Sequence, residues 1–553
     1  MNCLSEGTAS DAMGVQSSRE ALPRALAYSS PMMNPQALFQ RSRQQSAQGD
    51  LKGAVETLRA LSTVMSHPLV HSIMGGLLRE MCETESALQC YQRAYELSGN
   101  DAYRLRSALT LPPIMASRSR NTANRARMAE SLQRLLAAGI HIEDPVKMIP
   151  HLAFHLAYHG ENDRDLQQLI ARVIASACPV LQYTAPHVPA WRGVKGNKIE
   201  VVFVSSHLKN HTIGRLNREL IRLLDRERFH VTVAFVGGPR DAFAQEIAAS
   251  ADAILQLKRD LRLAQQQLAA LGSDIVYYTD IGMDPFTWLL AHSRLAPVQC
   301  VTWGHSMTTG LDSLDCWISG KDTEVDTGQA HYTEPLVRLS DPTVTYRRPV
   351  RTGPTLSRAA LGLPASGTIY LCPQTTFKLH PDFDPVIGEI LRRDPSGHVV
   401  LPSPKFAAWK EVLLKRMQPH VDTSRLVFLP SLPHPRFLAV LAESDVLLDP
   451  LIYGGCNTSL EALAMGTPIV TMPSAYLRDR YTAAWYKAVG VEDCIVDNPR
   501  DYVELTVALG NDPRRRDSIM RRIAERDDQL FDNDRSVREH ERLFADLLDD
   551  KAT

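Results

Sequence analysis

Residues 444–490, SDVLLDPLIYGGCNTSLEALAMGTPIVTMPSAYLRDRYTAAWYKAVG, decide the fold. Val446, Leu447 and Leu448 form an apolar run suited to a buried parallel strand, which Asp449 and Pro450 end. Tyr453 to Ser459 make a small, polar loop, and Leu460 to Met465 read as a helix stopped by Gly466 and Pro468. Strand, glycine loop and helix start make an anion seat. Free N–H groups and the positive end of the helix dipole favour a phosphate, and Gly454 and Gly455 let backbone approach it. Glu461, read here as part of the first helical turn, has a carboxylate able to accept two hydrogen bonds from a diol such as a ribose. By itself the loop reads equally well as a plain turn with Glu461 complementing the helix dipole, since such turns recur in α/β proteins.

The flanking sequence alternates strand and helix. TIYLCP from Thr368, HVVLP, RLVFLP, DVLLDP and PIVTMP are strand-like, with helical stretches between them. An earlier alternation starts at Lys198 with KIEVVFV and continues through HVTVAFVG, then residues 253–257, 274–278 and 298–303. Each run predicts a doubly wound parallel sheet, and residues 339–364, with four prolines, read as the linker between them. Neither carries a G-x-G-x-x-G fingerprint. Ligands of such sheets sit at the carboxyl ends of strands, so two facing sheets make a cleft.

Upstream the pattern is helical. Residues 1–34 read as a loosely ordered lead-in. In residues 35–111, Ala87 and Tyr91 repeat the spacing of Ala54 and Leu58 one period earlier, which resembles two tetratricopeptide units. Residues 112–192 read as a helical linker domain, with one helical stretch from Asp144 to about Ala177. His151, His155 and His159 would then share one face, a spacing that suits either metal ligands or, with these aromatic neighbours, a packed groove wall. Residues 193–345 and 346–553 complete the division as two Rossmann-like domains, the second ending in a closing helix.

Composition narrows the classes. A net charge of -1 gives no field to recruit nucleic acid or an anionic membrane. Nine scattered cysteines without C-x-x-C spacing argue for reduced thiols and a cytoplasmic protein, against a disulfide framework or a zinc site. No window approaches the apolar length of a membrane span.

Four strand ends carry polar groups. After the first strand comes SSHLKNH with His211, after a later one WGHSMTTG with His305, and in the second half QTTFK with Lys378 and the opening loop. A lysine opposite a helix start suits a diphosphate leaving group, because breaking its bond to a sugar builds negative charge there. Facing imidazoles suit orienting an acceptor or taking its proton.

Here the chain resembles the O-GlcNAc transferase family, including the bacterial N-glucosyltransferases that modify adhesins. Residues 455–473 follow the pattern G-x-x-T-x-x-(D/E)-x-L-x-x-G-T-P-x-V-T-M-P, with Arg480 beyond it. QTTFKLHP at 374–381 resembles the family's lysine segment, LAPVQCVTWGHSMTTGLDSLDCWI at 295–318 the wall of the sugar site, and SSHLKNHTIGRL at 205–216 the histidine segment. The resemblance implies a GT-B fold, two Rossmann-like domains facing a cleft behind an all-α, repeat-like region. It implies inverting transfer of GlcNAc or glucose from a UDP-sugar, without metal, to a Ser, Thr or Asn side chain of a protein or peptide, by a monomer or a homodimer. His211, His305 and Lys378 are the implied catalytic set. Gln374, Thr375, Lys378, Gly455, Cys456, Asn457, Thr458, Ser459, Glu461 and Arg480 are the implied donor-binding set. Cys456 and Glu461 depart from the O-GlcNAc branch, which has histidine and aspartate there, so the sugar and the acceptor atom stay open. The rival readings are a transferase acting on a saccharide or lipid-linked acceptor, a scaffold that binds nucleotide sugar without turnover, and a nucleotide-sugar epimerase.

Overall fold

The computed structural model describes residues 34–553, so all but the last residue of the lead-in lies outside it. Four helices open the described chain: α1 Pro35–Ala47, α2 Leu51–Val64, α3 Pro68–Glu80 and α4 Thr84–Ser98. They pair as two hairpins. Asp50 caps α2 by accepting from Gly53 N–H at 2.9 Å, and Gly99 ends α4 in the left-handed region. Ala54, Leu58, Ala87 and Tyr91 are all buried. A side chain at Gly75 of α3 would start 3.0 Å from the Tyr91 ring, so the small residue seats the large one.

Residues 144–177 do not form the single helical stretch expected of them. The stretch is three pieces, a turn of helix Pro145–Met148, a 3-10 turn Phe154–Tyr158 and a helix Arg164–Ala177. Pro150 lacks an N–H to continue the first piece, and Gly160 takes a positive φ of 74° after the second. His151, His155 and His159 therefore do not share a helix face. They are buried where this segment passes between the two α/β halves.

The first sheet has seven parallel strands in the order β3-β2-β1-β4-β5-β6-β7. They are β1 Ile199–Ser205, β2 Phe229–Val236, β3 Ala253–Leu257, β4 Ile275–Tyr278, β5 Val298–Thr302, β6 Cys316–Gly320 and β7 Leu336–Leu339. The last two were not expected. The second sheet, also parallel, runs β10-β9-β8-β11-β12, with β8 Ile369–Leu371, β9 His398–Pro402, β10 Leu426–Leu429, β11 Val446–Leu448 and β12 Ile469–Val470. Strand β11 lies between β8 and β12 and is wholly buried, which is why it carries an unbroken apolar run.

The closing helix Arg535–Ala552 packs on the first half, although the chain reaches it from the second. Phe544 meets Phe229 and Tyr277, with ring centroids 6.3 and 5.9 Å away, and Glu541 accepts from Asp225 N–H at 2.7 Å. The helical region touches both halves. Trp409 Nε1 donates to Glu80 O at 2.6 Å in the second, and Gln265 Nε2 donates to Val180 O at 2.9 Å in the first.

Candidate active site

Strand β11 is followed by Asp449, whose Oδ1 accepts from Gly455 N–H at 2.7 Å and whose Oδ2 accepts from Thr471 Oγ1 at 2.8 Å. The carboxylate thus folds the glycine loop back toward the sheet, although burial raises its pKa. A Cβ at Gly455 would lie 2.5 Å from Ser459 Oγ and 2.7 Å from Thr458 Oγ1, so only glycine fits between loop and helix. The helix Asn457–Met465 starts without a side-chain cap, leaving its first N–H groups toward the cleft. Gly466 ends it in the left-handed region.

Lys378 closes the 3-10 turn Thr376–Lys378 beyond β8. Its Nζ donates to Gln374 Oε1 at 2.7 Å and to Gly454 O at 2.9 Å, and lies 4.5 Å from the centre of the Tyr453 ring. Gln374 Nε2 in turn donates to Thr458 Oγ1 at 2.6 Å. One buried chain of hydrogen bonds therefore ties the lysine to the helix start, where their positive ends converge.

The facing wall comes from the first half. His211 caps the helix Thr212–Leu223, its Nδ1 accepting from Ile213 N–H at 3.2 Å, so the neutral ring carries its proton on Nε2 as a donor. Burial, reinforced by His207, holds its pKa well below the ordinary imidazole range. Behind it Asp280 Oδ2 holds His207 Nδ1 at 2.7 Å. His305 is buried too, and burial brings it down to about 3, Arg478 and Lys378 adding to the effect and a hydrogen bond to the Phe154 backbone opposing it. Its Nε2 has no partner among the described residues. Both rings are neutral near pH 7: His211 offers a donor and His305 an acceptor. Orienting an acceptor suits them, whereas a group with a pKa of about 3 does not hold a proton there.

The sequence-expected residues divide in the structure. His211, His305, Gln374, Lys378, Cys456, Asn457 and Thr458 line one cleft between the halves, about 570 Å³ with its open solvent. Burial pushes the Cys456 thiol up to about 12, so it stands there as a neutral group. Thr375 and Ser459 are buried beside the cleft, and Ser459 Oγ meets Thr482 Oγ1 at 2.8 Å. Arg480 is used elsewhere: it donates to Thr323 O at 3.0 Å and Ser474 O at 2.7 Å, clamping the halves together. Glu461 is the fifth helical residue, one turn later than expected, and fully buried. Its Oε1 meets His434 Nε2 at 2.8 Å and accepts from Tyr346 Oη at 3.4 Å.

Phe154, Tyr158, Ser306, Tyr453 and Tyr481 also line the cleft without having been singled out. Phe154 stacks on His305, and Tyr158 lies against Tyr453 with centroids 4.6 Å apart. No local signal marks the first two, which arrive from the helical region. Ser306, Tyr453 and Tyr481 stand inside the segments quoted above, where a hydroxyl at a strand end was the signal available. Among the described residues no group of three or more His, Cys, Asp or Glu is placed to hold a metal ion.

Residues 337–539 match the profile of glycosyl transferase family 41. That stretch is similar to the family. It takes in the glycine loop, Lys378 and the crossing back toward the first half. Among relatives, the chain is 24% identical over 368 residues to the UDP-glucose:protein N-beta-glucosyltransferase of Actinobacillus pleuropneumoniae serotype 5b, covering 66% of this chain and 58% of that one. It is 29% identical over 227 residues to the probable UDP-N-acetylglucosamine--peptide N-acetylglucosaminyltransferase SPINDLY of Solanum lycopersicum, covering 40% and 24%. The aligned chain thus spans less than two thirds of either relative. A mutant O-GlcNAc transferase of Thermobaculum terrenum shares the fold with a TM-score of 0.67 at 20% identity, over 95% of this chain and 99% of that one. The fold is therefore a GT-B arrangement, two parallel-sheet domains facing a cleft behind a helical region. No helix among the described residues is long and apolar enough to cross a membrane.

Proposed function

We propose that this protein transfers a sugar from a UDP-sugar to a protein side chain with inversion at the anomeric carbon. The observation that carries this is the hydrogen-bonded chain from Lys378 through Gln374 and Thr458 to an uncapped helix start, inside a cleft faced by two neutral histidines. In this reading the acceptor oxygen or nitrogen attacks the anomeric carbon opposite the diphosphate and the sugar–phosphate bond breaks. Lys378 and the helix N–H groups stabilise the charge that appears on the phosphate, and the burial of the lysine makes that stabilisation stronger than it would be in water. The acceptor's proton leaves with the diphosphate. His211 and His305 orient the acceptor, and Glu461 with His434 marks the ribose edge. Lysine and helix dipole supply the charge a metal would otherwise bring.

A protein acceptor is supported by the helical region, whose residues reach into the cleft, and by the relatives' names. A cytoplasmic site is supported by the eight described cysteines, all free. The test is to incubate purified protein with a panel of UDP-sugars and host lysate and to follow intact-protein masses. A hexose or N-acetylhexosamine mass added to a protein is the expected result. UDP bound tightly with no donor ever consumed would favour a scaffold, and label appearing only on glycans would move the acceptor class.

A further inference from the structure

A second cavity lies beside Phe154, where the helical region meets the first half. It measures about 320 Å³ with its open solvent, with Arg79, His151 and His155 on the helical side and Gly282 and Met283 on the other. Phe154 and Met283 also line the cleft, so the two spaces share a wall. Gly282 sets how close they come: a Cβ there would lie 2.8 Å from His305 Cδ2, so the cavity abuts the ring that faces the acceptor. Arg79 Nε, His151 Nε2 and His155 Nε2 are buried without a hydrogen-bond partner among the described residues. Arg79 stands in the last turn of α3, and its Nη2 donates to Glu80 Oε1 at 2.5 Å, but Glu80 does not line the cavity. Burial lowers the pKa of both histidines and Arg79 is the leading charge on each, so they stand neutral beside a cation. Arg106, whose Nε donates to Met148 O at 2.9 Å, adds to the field at His151.

We infer that this cavity takes the carboxylate of an acidic residue that lies close in sequence to the acceptor residue. The inference rests on the protein acceptor proposed above and adds the sequence that acceptor presents. Buried polar groups are costly to leave unpaired, so three of them around one space call for a ligand that completes them. A carboxylate has two oxygens that only accept. The cavity answers with one guanidinium N–H and two neutral imidazoles, each able to turn an N–H toward it. A phosphate brings close to two charges, more than a guanidinium already shared with Glu80 balances. Position fits as well. The Phe154 ring lies 5.4 Å from His155 and 4.7 Å from His305. No more than roughly 10 Å therefore separates the cavity's histidine from the one facing the acceptor, a span that an extended chain covers in about three residues.

The test measures transfer by the full chain to synthetic peptides, with whichever UDP-sugar it turns over. Each peptide carries one central Asn, Ser or Thr in a Gly–Ala background, with Glu, Gln or Lys placed in turn at every position up to about five residues away. Glu at about two to four residues from the acceptor should raise kcat/KM about tenfold or more over Gln at the same place, and Lys should lower it. That preference should vanish in the double variant Arg79→Gln, Glu80→Gln, which removes both charges so that neither is left buried alone. It should shrink about fivefold in His151→Gln, which decides alone should the double variant not fold. UDP affinity within about twofold of wild type reports a folded site. Equal rates for Glu and Gln at every position, a preference that survives in a folded variant, or phosphothreonine preferred over Glu overturns the inference and leaves the transferase standing. UDP-sugar turnover with no peptide glycosylated removes the protein acceptor and this inference together.

Discussion

Phe154 lies flat on His305, with ring centroids 4.7 Å apart and planes 13° from parallel, so the helical region supplies one wall of a cleft between two other domains. The same turn presents His155 and Tyr158 to Phe377, next to Lys378. Phe154→Leu keeps most of the volume and should cost less than about 1.5 kcal/mol. It removes the flat surface that orients His305. Turnover should fall by about tenfold or more with UDP affinity retained; a variant as active as the wild type would show that the stacking serves packing alone.

Lys378→Ala tests the phosphate seat. It removes the charge and leaves Gln374 Oε1 and Gly454 O without their donor, costing about 1–3 kcal/mol of stability. Sugar transfer should drop by about 100-fold or more. Activity within a few-fold of wild type in a folded variant would remove the lysine from the chemistry.

The buried histidines set an acid limit. His151, His155, His159, His211 and His305 all titrate below the ordinary value through burial, His159 and His305 at about 3. At acid pH the folded chain then binds fewer protons than the unfolded one. Stability is intact above the unfolded value of about 6.5 and falls beneath it, by roughly 1.4 kcal/mol per pH unit for each ring. Urea midpoints at pH 7.5, 6.5 and 5.5 should decline a little over the first interval and steeply over the second. The rate profile should lack an imidazole limb near pH 6.5, and a limb there would restore a histidine as the base.

Asp479 pulls the other way. Burial raises its carboxyl to about 7, and its Oδ2 has no hydrogen-bond partner among the described residues. The folded state holds the proton where the unfolded one has released it, so this contribution is fully present below about pH 3.8 and lost as pH rises to 7. Asp479→Asn keeps the acceptor for Ser474 N–H. Its stability relative to wild type should improve steadily from pH 5 to about pH 7 and level off above it, and a difference independent of pH would mean that the carboxyl is already ionised.

Asp163 joins the helical region to the second half. Its two oxygens hold Arg125 Nη1 at 2.6 Å and Arg478 Nη1 at 2.8 Å, all three side chains being largely buried. Asp163→Ala leaves two guanidinium groups without their carboxylate and should cost about 3–5 kcal/mol. Denaturant melts measure it; a loss under about 1 kcal/mol would place this junction in a more solvated setting than its burial implies.

Much of the second half was legible because parallel strands buried on both faces spell themselves as apolar runs, and all five appear where TIYLCP, HVVLP, RLVFLP, DVLLDP and PIVTMP stand. Strands β6 and β7 escaped. DCWISG breaks its run with serine and glycine, and β7 is four residues long with every side chain half-buried. Histidines at i, i+4 and i+8 imitate a helix face, yet Pro150 and Gly160 break the backbone around them. Lys378, His211 and the glycine loop could be found because each sits at the end of a readable strand. Phe154 and Tyr158 could not, since their place in the cleft follows from domain packing. Arg480 carried the right motif position, but its reach toward Thr323 depends on how closely the halves approach.

The closing helix gives the molecule a seam. The chain leaves the first half past Tyr346 and returns past Phe531, and there the two strands of the crossing pair, with Asp532 N–H donating to Tyr346 O at 3.0 Å. Tyr346 also accepts from Asn457 Nδ2 at 3.2 Å, at the helix start that seats the phosphate. Whatever occupies the phosphate seat therefore presses, through Asn457 and Tyr346, on the crossing that ties the two halves into one chain.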